Sequence, residues 1–248
     1  MARSSRKLAI AALVALALAG GAGSGQASEA YFMIVFSVQK QSINRVCYSH
    51  SFATFIRACG EGDRLECYRL ETYTISWVPR TLDVHVYHLL PEPGTNLDLP
   101  NSLKLAYDRG LAVSMWGPYQ IDKDLFDRAL EQKARLESGA VRYKAIDTGY
   151  PTERVSNCIH AISDLSRPEG RLRIGTPTWG ESASYFITLS LGAWIIQPHE
   201  IHEWLVPALG LAGQPIIRRD IDTNPTRRPV LRVFQTVAHW RLKQNLQN

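Results

Sequence analysis

Tyr31 to Val38, YFMIVFSV, constrains the fold more than any other stretch of the chain. It is apolar at nearly every position and rich in aromatic and β-branched side chains, which predicts a buried strand. A polar turn, QKQSINR, follows, and then HSFATFIRA predicts a second strand. Phe52 and Ile56 fall on one face of it and Phe55 on the other. LETYTISWV, Leu70 to Val78, alternates as a third strand with Tyr73, Ile75 and Trp77 on one side, stopped by Pro79. Alternation in DVHVYHLL, Asp83 to Leu90, predicts a fourth. Residues 31–90 thus read as an antiparallel meander.

Beyond the loop PEPGTNLDLPN, SLKLAYDRG reads as a short helix closed by Gly110, with a strand as the alternative, and LAVSMWGPY as a strand ended by Gly117 and Pro118. The clearest helix is DKDLFDRALEQKARLESG. Asp122 and Asp124 crowd its start, Leu125, Phe126, Ala129, Leu130 and Leu136 form its apolar stripe, and Gly139 follows its end. VRYKAID predicts a strand, and SNCIHAISDL, Ser156 to Leu165, a short helix with Cys158 at its head. ESASYFITLSLGAWII is too uniformly apolar for periodicity to choose between helix and strand. HEIHEWLVPALGL reads as a short amphipathic helix broken by Pro207, and the basic tail around Thr226 as peripheral.

The first residues stand apart from this pattern. Arg3, Arg6 and Lys7 precede an apolar run of small and aliphatic residues and then GSGQAS, the order of an export signal cleaved near Ala27. The run falls short of the roughly 20 apolar residues that a bilayer span needs, so no stable membrane span is expected after cleavage. Those three cations carry much of the net charge of +5, and the remaining chain shows no nucleic-acid footprint. About 220 residues suffice for one globular domain with its own core. The expected organisation is a signal peptide over 1–27 and one domain over 28–248, with a core at about 31–166 and a C-terminal extension over 167–248. A periplasmic or secreted location follows.

All four cysteines lie in the exported part, where an even count is first read as disulfides. Cys59 and Cys67 flank the polar loop GEGDRLE at a hairpin end, a spacing that suits a bridge. Cys47 and Cys158 are either a second bridge or two thiols. A thiol at Cys158 would sit where unpaired helix N–H groups favour the thiolate. A thiolate nucleophile needs an imidazole within reach and a third group to fix that ring. His50 heads the second strand. If strands two and three form a hairpin, paired residue numbers sum to about 126, which sets His50 opposite Ser76 within a residue or two. Ser76 is the expected ring-orienting group, with Thr74 and then Glu71 behind it. The Cys158 N–H and the Asn157 side chain are candidates for holding an oxyanion.

A histidine on an early strand, a polar residue on the next and an Asn-Cys pair heading a later helix resemble the circularly permuted papain-like superfamily. That group includes NlpC-type cell-wall amidases and lecithin–retinol acyltransferases. The matching residues are His50 in SHSFATF and Cys158 in SNCIHAISDL, and the resemblance spans about Tyr31 to Leu165. It implies cleavage or transfer of an amide, ester or thioester acyl group through a covalent acyl-enzyme. The third position does not match cleanly, and the helix over 122–138 exceeds the minimal core of the family.

Other groupings carry less. His160 lies two positions after Cys158, so helix geometry turns it elsewhere, to a surface or structural role. His199 and His202 in HEIHEW lack the i, i+4 spacing of a zinc helix and an evident third ligand. His85 and His88 fall on opposite strand faces by parity. The tryptophans, Trp77, Trp116, Trp179, Trp194 and Trp204 among them, read first as core and only second as a binding groove. GEGD and PEPGT lack the phosphate-cradle pattern.

The expectation is an α+β protein, an antiparallel sheet with flanking helices built in the permuted papain-like manner. Cys158 would be nucleophile, His50 base, Ser76 orienter and Asn157 part of the oxyanion site, with Cys59 and Cys67 bridged. The partner would be a small peptide or acyl substrate of the cell envelope, with no metal and no organic cofactor. The competing class is a non-catalytic envelope binding protein whose cysteines are closed in disulfides.

Overall fold

The computed structural model describes residues 27–40, 49–61, 69–166 and 180–222. The signal segment before Ala27, Cys47, the GEGDRLE loop beyond Glu61 with Cys67, Trp179 and the tail around Thr226 lie outside them. The architecture is α+β, with two open sheets. The first holds β1 (Ala27–Gln39), β2 (Ser49–Glu61), β3 (Arg69–Ile75), β6 (Ala112–Ile121) and β9 (Ile216–Arg219), in the order β3-β2-β1-β6-β9. The second holds β4 (Trp77–Pro79), β5 (Glu92–Asn96), β7 (Arg142–Tyr143) and β8 (Val155–Ser156).

β1 is central and covered on both faces, which is why its sequence is continuously apolar. Tyr31, Met33 and Val35 join Phe55, Ile75 and Trp77 in one core cluster. Phe32, Ile34, Phe36 and Val38 join Phe52 and Ile56 in the other. The first cluster is closed by α2 (Lys123–Glu137), α3 (Cys158–Ser163) and α4 (Glu181–Ser190). The second is closed by α1 (Leu99–Asp108) and α5 (Leu205–Ala208). Each large side chain so enclosed contributes on the order of 1.5–3 kcal/mol.

The helices follow local signals. Asp98 caps α1 by accepting the Asn101 N–H at 2.8 Å, and a proline sits in its first turn. α2 buries Leu125, Phe126, Ala129 and Leu136, four of the five stripe residues, while Leu130 packs partly covered against the same core. The ambiguous apolar run at 181 is helical. Ser184, buried in α4, donates to the Phe36 carbonyl at 2.9 Å and pairs with the Ser51 hydroxyl at 2.8 Å, which seats the helix on β1 and β2.

Three expectations need correction. Residues 83–90 form no strand. With Leu82 at a left-handed φ of 63° the chain turns out of β4, and it re-enters the sheet only at Glu92. The meander therefore covers β1, β2 and β3 alone, and β6 pairs antiparallel with the far side of β1. HEIHEW is not helical; only Leu205–Ala208 is. The strand expected over 141–147 is shortened to Arg142–Tyr143. Sequence reading also missed β9, which pairs parallel with β6 and ties residues 216–219 of the expected extension into the main sheet.

The third strand breaks at Ser76, where the chain leaves the first sheet for the second. Asn96 holds the break. Its side-chain oxygen accepts the Ser76 N–H at 2.7 Å, and its amide donates to the Thr74 carbonyl at 2.7 Å. Beside it, Gly94 pairs with Pro79, and a Cβ there would meet a Trp77 ring carbon at 2.0 Å. Trp77 is buried and its ring cannot retreat into water. Gly94→Ala is accordingly expected to lower stability by about 1–3 kcal/mol, read as a lower urea midpoint at unchanged slope.

Candidate functional site

Three pieces of chain converge where the sheets part. β3 pairs with β2 only from Cys59↔Arg69 to Ala53↔Ile75, so Ser49 to Phe52 extend beyond it. Paired numbers sum to 128 rather than 126, a two-residue shift that preserves which face each side chain occupies. His50 and Ser76 meet at the open end, with Nε2 2.8 Å from the Ser76 hydroxyl. Both residues are buried, and the His50 ring stacks on Phe52 at 5.8 Å. Thr74 is spent on Thr54 at 3.0 Å, and Glu71 is engaged by Arg69 and Arg57 at the edge of the sheet. With Nε2 at Ser76, Nδ1 is the ring nitrogen left for proton exchange.

β8 delivers the chain into α3. Asn157 is the cap: its side-chain oxygen accepts the His160 N–H at 2.8 Å. Cys158 follows as the first helical residue, and its sulfur faces the backbone N–H of Ser51, the neighbour of His50. The N–H groups of Cys158 and Ile159 also lie against it. All three favour a thiolate. Burial outweighs them and, with the nearby Asp147 charge, pushes the thiol up to about 11. Cys158 nevertheless keeps part of its residue surface exposed. Burial likewise holds the His50 imidazole down at about 3. The resting groups are a thiol and a neutral imidazole, and among the described residues no hydrogen bond joins the sulfur to the ring.

The Asn157 side chain, the expected oxyanion donor, is engaged by the loop before the helix. Its amide nitrogen donates to Asp147 at 3.1 Å and lies 3.4 Å from the Ala145 carbonyl, so its donors are directed into the loop before the helix. Backbone N–H groups at the head of α3, which have no carbonyl one turn earlier, are the donors that remain.

Sequence reading missed the partner of that cap. Asp147 is buried, and its carboxylate accepts the His160 Nδ1–H, with oxygens at 2.8 and 2.7 Å, and the Asn157 N–H at 3.2 Å. His160 is thus a structural partner of the preceding loop. Gln132 in α2 adds a bond to the Ala161 carbonyl at 2.9 Å, so α3 is held at both its head and its flank.

Other candidates resolve as follows. Cys59 and Cys158 are recorded as free thiols, while the expected partner Cys67, and Cys47, lie outside the described residues. His202 is buried edge-on against Phe32 at 4.9 Å, whereas His199 is exposed and lies 3.0 Å from Asp222. No group of three or more metal-ligating side chains occurs among the described residues. His85 and His88 sit in a loop with rings 6.3 Å apart, so strand parity does not apply to them. Trp77 and Trp116 are core, as expected. No helix of the described residues is long and apolar enough to cross a membrane.

Comparison of the chain with protein-family models, with curated proteins and with solved structures found no match in any of the three.

An imidazole that the fold keeps neutral has a pH signature. Below its ordinary 6.5 the unfolded chain takes up a proton that folded His50 declines until about pH 3. Its contribution is complete above 6.5 and is lost progressively as pH falls through that window. Burial lowers His202 in the same direction, so it adds to the same acid limb. Urea denaturation across the window is expected to show a shallower acid limb in His50→Gln than in the wild type, with the His202 contribution retained.

Proposed function

We propose that the chain is an exported cysteine-dependent hydrolase or acyltransferase of the permuted papain-like kind. It acts on an amide or ester of the cell envelope, with a peptidoglycan peptide as the leading substrate. Export to the periplasm or beyond is part of the same reading and rests on the N-terminal charge and apolar run. The observation that carries the proposal is the convergence at the end of β2. The Cys158 sulfur lies against the N–H of Ser51, one residue past His50, whose Nε2 is occupied by Ser76.

The Cys158 sulfur attacks the acyl carbon while its proton passes to Nδ1 of His50. Coupling the transfer to attack suits a pair that rests as thiol and neutral imidazole. The former carbonyl oxygen takes the electron pair and is held by N–H groups at the head of α3. As the intermediate collapses, the bond to the leaving amine or alcohol breaks and that group takes the proton from His50. Water, or an acceptor hydroxyl or amine, then attacks the thioester and gives its proton to His50, and the sulfur leaves and takes that proton back. Ser76 fixes the ring throughout, and Asn96 fixes Ser76. No step calls on a metal or an organic cofactor.

The alternative is a non-catalytic envelope protein that uses the same scaffold for binding. The high proton affinity of the Cys158 thiol is the observation in its favour. Incubation of the full chain with p-nitrophenyl acetate, followed by peptide mass mapping, separates the two. The proposal expects an acetyl group on Cys158, absent in Cys158→Ala, and a loss of acylation rate of about 10²- to 10⁴-fold in His50→Gln. A Cys158 found in a disulfide, or acetyl groups only elsewhere, overturns it.

A further inference from the structure

The chain between β4 and β5 makes a loop over residues 80–91 whose backbone is secured from beneath while its side chains project. Tyr87 is 91% exposed, Leu89 84% and Leu90 71%, and Val86 is partly exposed as well. Single exposed apolar residues are ordinary, but four of them within residues 86–90 of one loop are not.

Two features of this loop bear on what covers it. The carbonyls of Leu82 and of His88 to Pro91 are already bonded inward. Arg109 donates to Leu82 at 2.8 Å, Lys144 to His88 at 2.5 Å and Tyr150 to Leu89 at 3.3 Å. Nδ1 of His88 lies 2.8 Å from the Leu90 carbonyl, and Arg142 donates to Pro91 at 3.0 Å. A protein or peptide strand would need such groups as acceptors, whereas an apolar layer requires that they be satisfied beforehand. The second feature is charge. The side chains gripping the loop include Arg109, Arg142 and Lys144, and Arg80 stands at its start. The acids beside them are Asp83, paired with Arg109 at 3.3 Å, and Glu92. Among the side chains that hold and flank the loop, cations thus outnumber acids.

We propose that the loop over residues 80–91 docks onto an anionic phospholipid surface. Tyr87, Leu89 and Leu90 enter the interfacial layer, and the Arg142, Lys144 and Arg80 cations face the lipid phosphates. Tyr87 suits that depth, since its ring is apolar and its hydroxyl remains among the headgroups. Because its backbone is already tethered, the loop loses little freedom on docking. The inference stands whether or not Cys158 is a nucleophile. It would bring the loop containing Asp147, and through Asp147 the head of α3, close to the membrane.

The test is hydrogen–deuterium exchange of the full chain with and without vesicles, which reads the loop directly whatever the N-terminal segment does. Phosphatidylglycerol vesicles are expected to slow exchange over 82–91 by about fivefold or more, phosphatidylcholine vesicles less, and about 0.5 M salt to weaken the effect. The triple variant Tyr87→Ser, Leu89→Ser, Leu90→Ser changes side chains that already face solvent, so the fold is retained. It is expected to lose the slowing and to co-sediment with these vesicles at least ~10-fold more weakly in its vesicle-protected fraction. Three results overturn the proposal: no slowing over 82–91 with phosphatidylglycerol, equal slowing in the triple variant, or slowing that tracks protein concentration without lipid. The last would assign the patch to a second copy of the chain.

Discussion

A strand that outruns its neighbour must find other partners for its backbone, and the candidate site follows from that requirement. β2 continues to Ser49, but β3 stops accompanying it at Ile75, because the chain turns at Ser76 into a different sheet. An amide left bare in a buried position is costly, on the order of 1–3 kcal/mol. The Cys158 sulfur lies near the Ser51 N–H, and beyond the end of β3 the His50 ring meets the Ser76 hydroxyl. Had β3 run on in register, the ladder would have used the amide and closed the gap. The break is therefore an organising element, and Asn96 keeps it from relaxing by standing in for ladder bonds at the Thr74 carbonyl and the Ser76 N–H.

The electrostatics at this junction work against one another. Three amide N–H groups draw charge onto the sulfur, while burial and Asp147 oppose it, and opposition prevails. Asp147 sits there for a mechanical reason: it receives His160 and Asn157 and thereby anchors the first turn of a helix only six residues long. A helix this short has little intrinsic stability. The acid that secures the geometry also raises the proton affinity of the thiol, so positioning and activation are traded against each other. The result is a reserve of neutral groups rather than a standing ion pair.

Much of the frame was readable because it rests on local pattern. The double-sided apolarity of YFMIVFSV identified a covered strand, and the Asn-Cys start and the acidic start of the long helix marked their elements. The expected hairpin register, by contrast, was two residues off, and His50 meets Ser76 beyond the end of the ladder. The failures have one source, partners far away in sequence. DVHVYHLL alternates like a strand, yet no neighbour is available to it, and the basic side chains holding it come from Arg109, Arg142 and Lys144. His160 was read as a surface or structural residue from its spacing to Cys158, but that spacing says nothing about the carboxylate on the preceding loop that receives it. β9 is four residues long and became a strand because β6 offered it an edge. Asn96 carries no pattern at all; its role exists only once Ser76 has left the sheet.

The position of β9 also bears on how the sheet is assembled. Its last member comes from near the end of the described chain and lies parallel beside a strand made long before it. Until Ile216 to Arg219 emerge, Val113 to Trp116 present a bare main-chain border on a core strand. Such a border invites any extended segment that passes, including the same segment of another molecule. The arrival of those four residues covers that border and moves the free edge of the sheet to β9, a strand so short that it offers a neighbour little to pair with.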